Sequence, residues 1–179
     1  MKRALALLLV FASSSCVAKT YRLHSIEAFF PAPPVYKENE GTSGFQAIVG
    51  NDIYTLAETR GALPFTSKIF DGWAIRVISS MQRSDPRLRF DDTRPEVMKF
   101  GNSRSMDERI FMSSGSNSLG RQAVLPFVQV AYGRVDSSCT SFYQAGVICG
   151  GSDPESLRRA CIVKLKRFVE TFNTFCPAR

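Results

Sequence analysis

The chain has 179 residues, 44% of them hydrophobic, with 23 basic side chains against 16 acidic ones. That is enough apolar material for one proper core and too little length for two comfortable domains. A single histidine excludes a histidine-rich metal site, and the absence of a Gly-x-Ser-x-Gly elbow or a Walker loop leaves triad hydrolases and nucleotide-hydrolysing enzymes without support.

Met1-Lys2-Arg3 followed by the apolar run Ala4 to Ala12 and then small residues reads as a secretory signal over residues 1–18, too short to span a bilayer. Two cleavage points stay open. One is after Ala18. The other is after Ser15, because Ser13-Ser14-Ser15-Cys16 resembles the bacterial lipobox, although Ser13 stands where that motif usually carries an aliphatic residue. The resemblance implies a lipid tether on Cys16 and, with no aspartate at position 17, an outer-membrane address. Residues 19–179 are then expected to form a single α+β domain. Without Lys2 and Arg3 it keeps 21 basic against 16 acidic side chains. From Arg83 to Arg109 these charges are interleaved and nearly cancel, which argues against a nucleic-acid partner.

Thr20 to His24 alternates like a strand, with Tyr21 and Leu23 on one side. Phe29-Phe30-Pro31-Ala32-Pro33-Pro34 is expected to run extended, its phenylalanines tucked under the domain. Residues 37–44 read as a polar loop. Phe45 to Val49 and Asp52 to Leu56 then form a hairpin, since Gly50 at the first turn position permits type II′ geometry. The string Gln46 to Gly50 is similar to the Gln-x-Val-x-Gly loop of cystatin-type inhibitors, but the long helix that precedes that loop in cystatins is missing.

A first helix is expected over residues 66–82, capped by Thr66 or Ser67, with Ile69, Trp73, Val77 and Met81 on one stripe and Trp73 as a core anchor. Asp85-Pro86 ends it, and Arg87 to Asp91 alternates as a strand. The serine-rich stretch 113–118 reads as a mobile hairpin loop and as the first place to seek a binding surface. Ala123 to Val135 is strongly strand-like, with Pro126 suggesting an edge or bulge.

The remaining cysteines lie between Cys139 and Cys176. Ser152 and Glu155 make a capping box for a second helix over residues 153–175, with Pro154 in its first turn and Pro177 after its end. Cys161 and Cys176 on one continuous helix would sit roughly 22 Å apart, against the ~4.4 to 6.8 Å between Cα atoms that a disulfide needs. Two pairings remain, and Cys149 with Cys161 plus Cys139 with Cys176 is preferred, because a reversal at Gly150-Gly151 brings Cys149 beside the second helical turn. The cysteine spacings match no common zinc site. The densest uncancelled charge is Arg158, Arg159, Lys164, Lys166 and Arg167 on this helix, a candidate anion-binding face.

The fold expectation is therefore α+β: a largely antiparallel sheet packed by two amphipathic helices, with a disulfide-stapled C-terminal region. No catalytic residue, cofactor or metal is assigned. His24 reads as an ordinary imidazole, and Asp91 and Asp92 as loop or edge charges that adjacency directs to opposite faces. The functional expectation is an exported bacterial-type envelope protein, periplasmic or tethered to the outer membrane. It would act as an accessory, inhibitor or immunity-type factor binding another envelope or secreted protein. The alternatives are a carboxylate-based hydrolase of an envelope polymer or a binder of anionic lipid or glycan.

Overall fold

The computed structural model describes residues 19–39, 41–61, 64–100, 107–118 and 124–176. Cys16, with the rest of residues 1–18 expected as a secretory signal, and Pro177 lie outside them. The α+β expectation holds: an eight-stranded antiparallel sheet carries one helix on each face. Its strands are β3 (Val35–Asn39), β4 (Thr42–Val49), β5 (Asp52–Arg60), β6 (Leu88–Phe90), β7 (Val97–Lys99), β8 (Glu108–Ser118), β9 (Val124–Asp136) and β10 (Ser141–Gly150), ordered β3-β4-β5-β10-β9-β8-β6 with β7 also on β8. A smaller sheet joins β1 (Thr20–Arg22), β2 (Ile26–Phe29) and β11 (Asn173–Thr174) in the order β1-β2-β11. The helices are α1 (Trp73–Ser84) and α2 (Pro154–Val169). Among the described residues no helix is long and apolar enough to cross a membrane.

Strand alternation divides the core between the two faces. Leu56, Tyr143, Ala145, Val147, Val128 and Val130 point one way, onto α2 and the small sheet. Phe142, Ala131, Val135 and Phe111 point the other way, onto Phe70, Trp73 and Ala74 at the start of α1. The β4–β5 turn is as expected, with Gly50 at φ +58° and no positive φ at Asn51.

Five local expectations are corrected. Residues 37–44 are not a loop: β3 and β4 pair there, Asn39 opposite Thr42, around Gly41. Polar side chains hid the strands because β3 is an exposed edge, where alternation has no core to point at. The helix expected over 66–82 is broken, with a 3-10 turn at Ser67–Phe70 and α1 starting only at Trp73. Gly72, at φ +70°, supplies the left-handed residue that restarts it, and Thr66 makes no side-chain cap. The serine-rich stretch is the end of β8, with Ser113 and Ser114 buried. Pro126 sits within β9 opposite Ser116, one step past the Phe127–Gly150 pair; its carbonyl still accepts from the Gly151 N–H at 3.3 Å, but its missing N–H makes no reciprocal bond, so the β10 ladder ends there.

The fifth correction concerns α2. Asp153, not Ser152, caps it, its carboxylate accepting from the Glu155 N–H at 3.3 Å. The helix ends at Val169 because Thr171 intervenes, its hydroxyl donating to the Phe168 carbonyl at 2.7 Å and accepting from the Phe29 N–H at 3.1 Å. Asn173 and Thr174 then join β2 as a strand. Phe172 and Phe175 continue the helical spacing without being helical: Phe172 packs on Phe168 with ring centroids 5.1 Å apart, and Phe175 lies under the Arg22 guanidinium at 3.7 Å. The disulfides are Cys149–Cys161 (Cα–Cα 5.9 Å) and Cys139–Cys176 (5.0 Å). The preferred pairing is thus present, but the continuous helix invoked to exclude Cys161–Cys176 is not.

Candidate functional site

The sheet's two faces are covered unequally, and geometry gives the reason. An α-helix with its side chains is about 10–12 Å across, and neighbouring strands lie about 4.8 Å apart, so one helix shields two or three strands. On one face α2 covers β9 and β10, and the small sheet extends the cover through Leu23, Ile26, Ala28 and Phe30. On the other face α1 stands alone over β10, β9 and β8. It is locked there by Trp73, whose indole N–H donates to Gln144 Oε1 at 3.1 Å. Gly133 on β9 makes room for it, since a Cβ at that position would sit 3.1 Å from the indole ring.

β3, β4 and β5 are left open on the α1 face. Ile48, Ile53 and Ile148 form a cross-strand row there, one residue from each of β4, β5 and β10. Ile48 is 64% exposed, as is Val35 on the edge strand, while Ile53 and Ile148 are half-buried. The Lys37 ammonium, on the same face, donates to Gln46 Oε1 at 2.6 Å. The row runs into a groove of about 520 Å³ between the C-terminal end of α1 and the sheet, with Met81, Leu88 and Phe127 among its walls and Leu125 at its rim. Asp85 also lines it. The adjacent Arg87 guanidinium pairs with that carboxylate at 2.7 Å and holds its pKa down at about 2, well below the usual carboxylate value.

At the opposite end of the sheet a polar cleft of about 570 Å³ is lined by His24, Glu38, Ser43, Arg60 and the Cys139–Cys176 bridge. Next to this end lies a residue that the sequence reading passed over. Glu58 is fully buried, and its carboxylate accepts from the Ser25 N–H (3.1 Å), the Ser25 hydroxyl (2.5 Å) and the Ser141 hydroxyl (2.9 Å). Tyr143 completes the group, its hydroxyl 2.7 Å from Ser25 Oγ; burial is the main reason its pKa is raised. No cation ion-pairs with Glu58 among the described residues, so hydrogen bonds alone offset its desolvation. The only sequence signal was a charged residue at an inward-facing position of β5. The cluster ties the turn before β2 to β5 and β10, and the burial of Ser25 and Glu58 leaves no access for a substrate.

The residues singled out from sequence do not converge. His24 lies in the turn between β1 and β2 rather than in a strand, exposed, with Nε2 3.3 Å from Ser43 Oγ. Asp91 and Asp92 are exposed beyond β6 and far along the chain from Glu58. Arg158, Arg159, Lys166 and Arg167 are exposed on α2, where Arg158 reaches Ser114 Oγ at 3.5 Å. Lys164 is drawn off the group by Asp52, at 2.5 Å. Asp136 lies close to the Cys139 and Cys176 sulfurs, but these are bonded to each other, and the carboxylate accepts from the N–H groups of Ser138 and Cys139, both at 3.1 Å.

No protein-family model matches the sequence, and no curated protein matches it either. Solved structures do. The chain is similar to the Saccharomyces cerevisiae Ran-binding protein Mog1p, with 10% identity, a TM-score of 0.53, and coverage of 89% of this chain and 96% of that one. A mutant of protein Mog1 matches with 9% identity, a TM-score of 0.52, and coverage of 88% and 95%. At such identity the likeness speaks for the fold alone.

The expectation of a bacterial envelope protein is corrected, since the fold is matched in a solved structure outside that class. The matching fold is that of a yeast Ran-binding protein. The periplasmic or outer-membrane placement and the envelope partner fall with it, and nothing supports a lipid tether. The physical reason is that the evidence for that reading was indirect. A leader-like composition lies outside the described residues, and disulfides report oxidised cysteines without naming a compartment.

Proposed function

We propose that residues 19–179 act as one protein-binding domain, and that the contact surface is the open half of the α1 face. What supports this reading is an apolar row, Ile48, Ile53 and Ile148, at the end of the sheet that α1 does not reach, with Ile48 64% exposed. Exposed Ile48, with half-buried Ile53 and Ile148 beside it, brings β-branched apolar area to an interface at little conformational cost. The partner complementary to residues 19–179, which keep 21 basic against 16 acidic side chains, is an acidic-surfaced protein. The fold's similarity to Mog1p makes a Ran-type small GTPase the first partner to test.

The experiment is calorimetric titration of the purified chain with Ran in its GDP-bound, GTP-analogue-bound and nucleotide-free forms. Binding at micromolar affinity or tighter is expected in at least one form. Ile48→Asp is expected to weaken it about tenfold or more, while lowering stability by no more than about 1 kcal/mol. No binding in any form removes the Ran-type partner. Binding that Ile48→Asp leaves unchanged removes the surface.

A further inference from the structure

At the end of the sheet away from the isoleucine row, one tight turn gathers the ligands of a thiophilic metal. The Asp136 carboxylate and the sulfurs of Cys139 and Cys176 lie within 4.8 Å of one another, and among the described residues no other group of acids, histidines or cysteines brings three ligand atoms so close. Asp136-Ser137-Ser138-Cys139 has the spacing at which ligands pair in structural zinc sites. Because its first member is a carboxylate, the cysteine spacings alone did not disclose it. The turn orients that carboxylate, whose Oδ1 accepts from the N–H groups of Ser138 and Cys139, both at 3.1 Å. Its Oδ2 lies 3.7 Å from the Arg134 guanidinium, outside hydrogen-bond distance. Both cysteines line the cleft of about 570 Å³, and Cys176 is exposed, so a reductant and an ion can reach them. The other bridge has no such setting: Cys149 and Cys161 are fully buried, and the Cys161 sulfur faces the carbonyls of Val128 and Val147.

We propose that Asp136, Cys139 and Cys176 form a redox-gated Zn²⁺ site: once the bridge is reduced, the ion takes the place of the sulfur–sulfur bond and ties the same two segments together. The inference stands apart from the protein-binding reading. A dithiol reductant opens the bridge in two exchanges. One of its thiolates attacks the exposed Cys176 sulfur and expels Cys139 as a thiolate, which takes up a proton. Its second thiol displaces Cys176 in turn and closes the reductant as its own disulfide, so two electrons and two protons pass to the cysteines. Zn²⁺ binds both as thiolates and releases those two protons to water, with the Asp136 carboxylate as third ligand and cleft water at the fourth position. Thiolate donors select zinc over magnesium and calcium, which take oxygen ligands. What the link holds is the C-terminal strand. β11 pairs with β2 only through Asn173 and Thr174, and the Phe175 N–H then donates to the Ser25 carbonyl at 3.0 Å, so the tie at Cys176 sets how firmly this segment stays docked beside the Glu58 cluster.

The test reduces the full chain with a dithiol, removes the reductant by gel filtration under argon, checks by mass spectrometry that Cys149–Cys161 persists, and titrates Zn²⁺ against a chromophoric chelator. The reduced chain is expected to bind one equivalent with a Kd of about 1 μM or tighter, while the oxidised chain binds none at that affinity. Co²⁺ in place of Zn²⁺ is expected to develop thiolate-to-metal charge-transfer absorbance. Asp136→Asn keeps the oxygen that caps the turn but loses the charge, and is expected to weaken Zn²⁺ binding about tenfold or more. Hydrogen exchange of the Phe175 amide is expected to quicken on reduction and to slow again when Zn²⁺ is added. No binding by the reduced chain overturns the proposal, as does equal binding by the oxidised chain or an affinity that Asp136→Asn leaves unchanged. An amide that Zn²⁺ fails to slow overturns it too, because the ion would then not replace the bridge.

Discussion

The two faces of one sheet divide the labour of this molecule. On the α2 face, Phe168 meets Phe30 at 5.0 Å, Phe172 at 5.1 Å and Tyr54 at 5.5 Å, all edge-on. Cys149 and Cys161, both 0% exposed, fasten the helix to β10. The small sheet and the Glu58 cluster extend that cover, with Tyr36 and Val49 left exposed at the β3–β4 edge. On the α1 face a single helix covers three strands, and the row from Ile48 to Ile148 stays open. The difference teaches that the more extensive core and the proposed contact surface lie on opposite sides of the same strands. A surface can therefore be changed on one side without dismantling the other.

The strongest way to break this comparison is Phe168→Ala. It deletes the ring at the centre of the closed face and is expected to cost about 3–5 kcal/mol, measured by denaturant unfolding. A cost no larger than that of Ile48→Ala, expected within about 0.5 kcal/mol, would show the two faces to be energetically alike. Next in size is the loss of the buried bridge, with Cys149→Ala and Cys161→Ala together expected to cost about 2–4 kcal/mol. Under mild reductant the Cys139–Cys176 bridge should open first, since Cys176 is exposed and lines the cleft. Mass-spectrometric thiol labelling against time reads the order, and simultaneous reduction would contradict it.

The smallest effect is alkaline. Burial raises the pKa of Tyr132, which also donates to Glu108 Oε1 at 3.0 Å, and burial likewise raises those of Tyr143 and Tyr54. Below about pH 10, where an unfolded tyrosine ionises, all three are protonated in both states and stability is unaffected. Above it the unfolded chain releases these protons first, so stability falls as pH rises. Phenolate absorbance should show these three of the five tyrosines titrating above the ordinary range.

How far the sequence disclosed this arrangement follows from what each face offers to a pattern reader. Buried strands announce themselves: the apolar run of β9 and the cysteines of β10 and α2 were legible because one dense core repeats at strand and helix spacing. β3 was not legible, because an edge strand with Val35, Tyr36, Lys37 and Glu38 exposed has no inward row. The end of β8 was misread because serine suggests a turn, whereas Ser113 and Ser114 are buried among strands. The open surface was the least accessible, since Ile48 and Ile53 look like core residues in any alternating hairpin. Only the reach of α1 decides that they are not covered. Glu58 was hidden for the converse reason, a charge at an inward position whose hydrogen-bonding partners lie 33 and 83 residues away along the chain.

The measurement closest to the central claim is isoleucine-methyl NMR of the chain as Ran is added. If the α1 face is the contact surface, the methyls of Ile48, Ile53 and Ile148 shift or broaden, while Ile26 in the small sheet and Ile162 on α2 stay in place. Perturbation of Ile162 with those three unmoved would put the contact on the wrong side of the sheet and contradict the account.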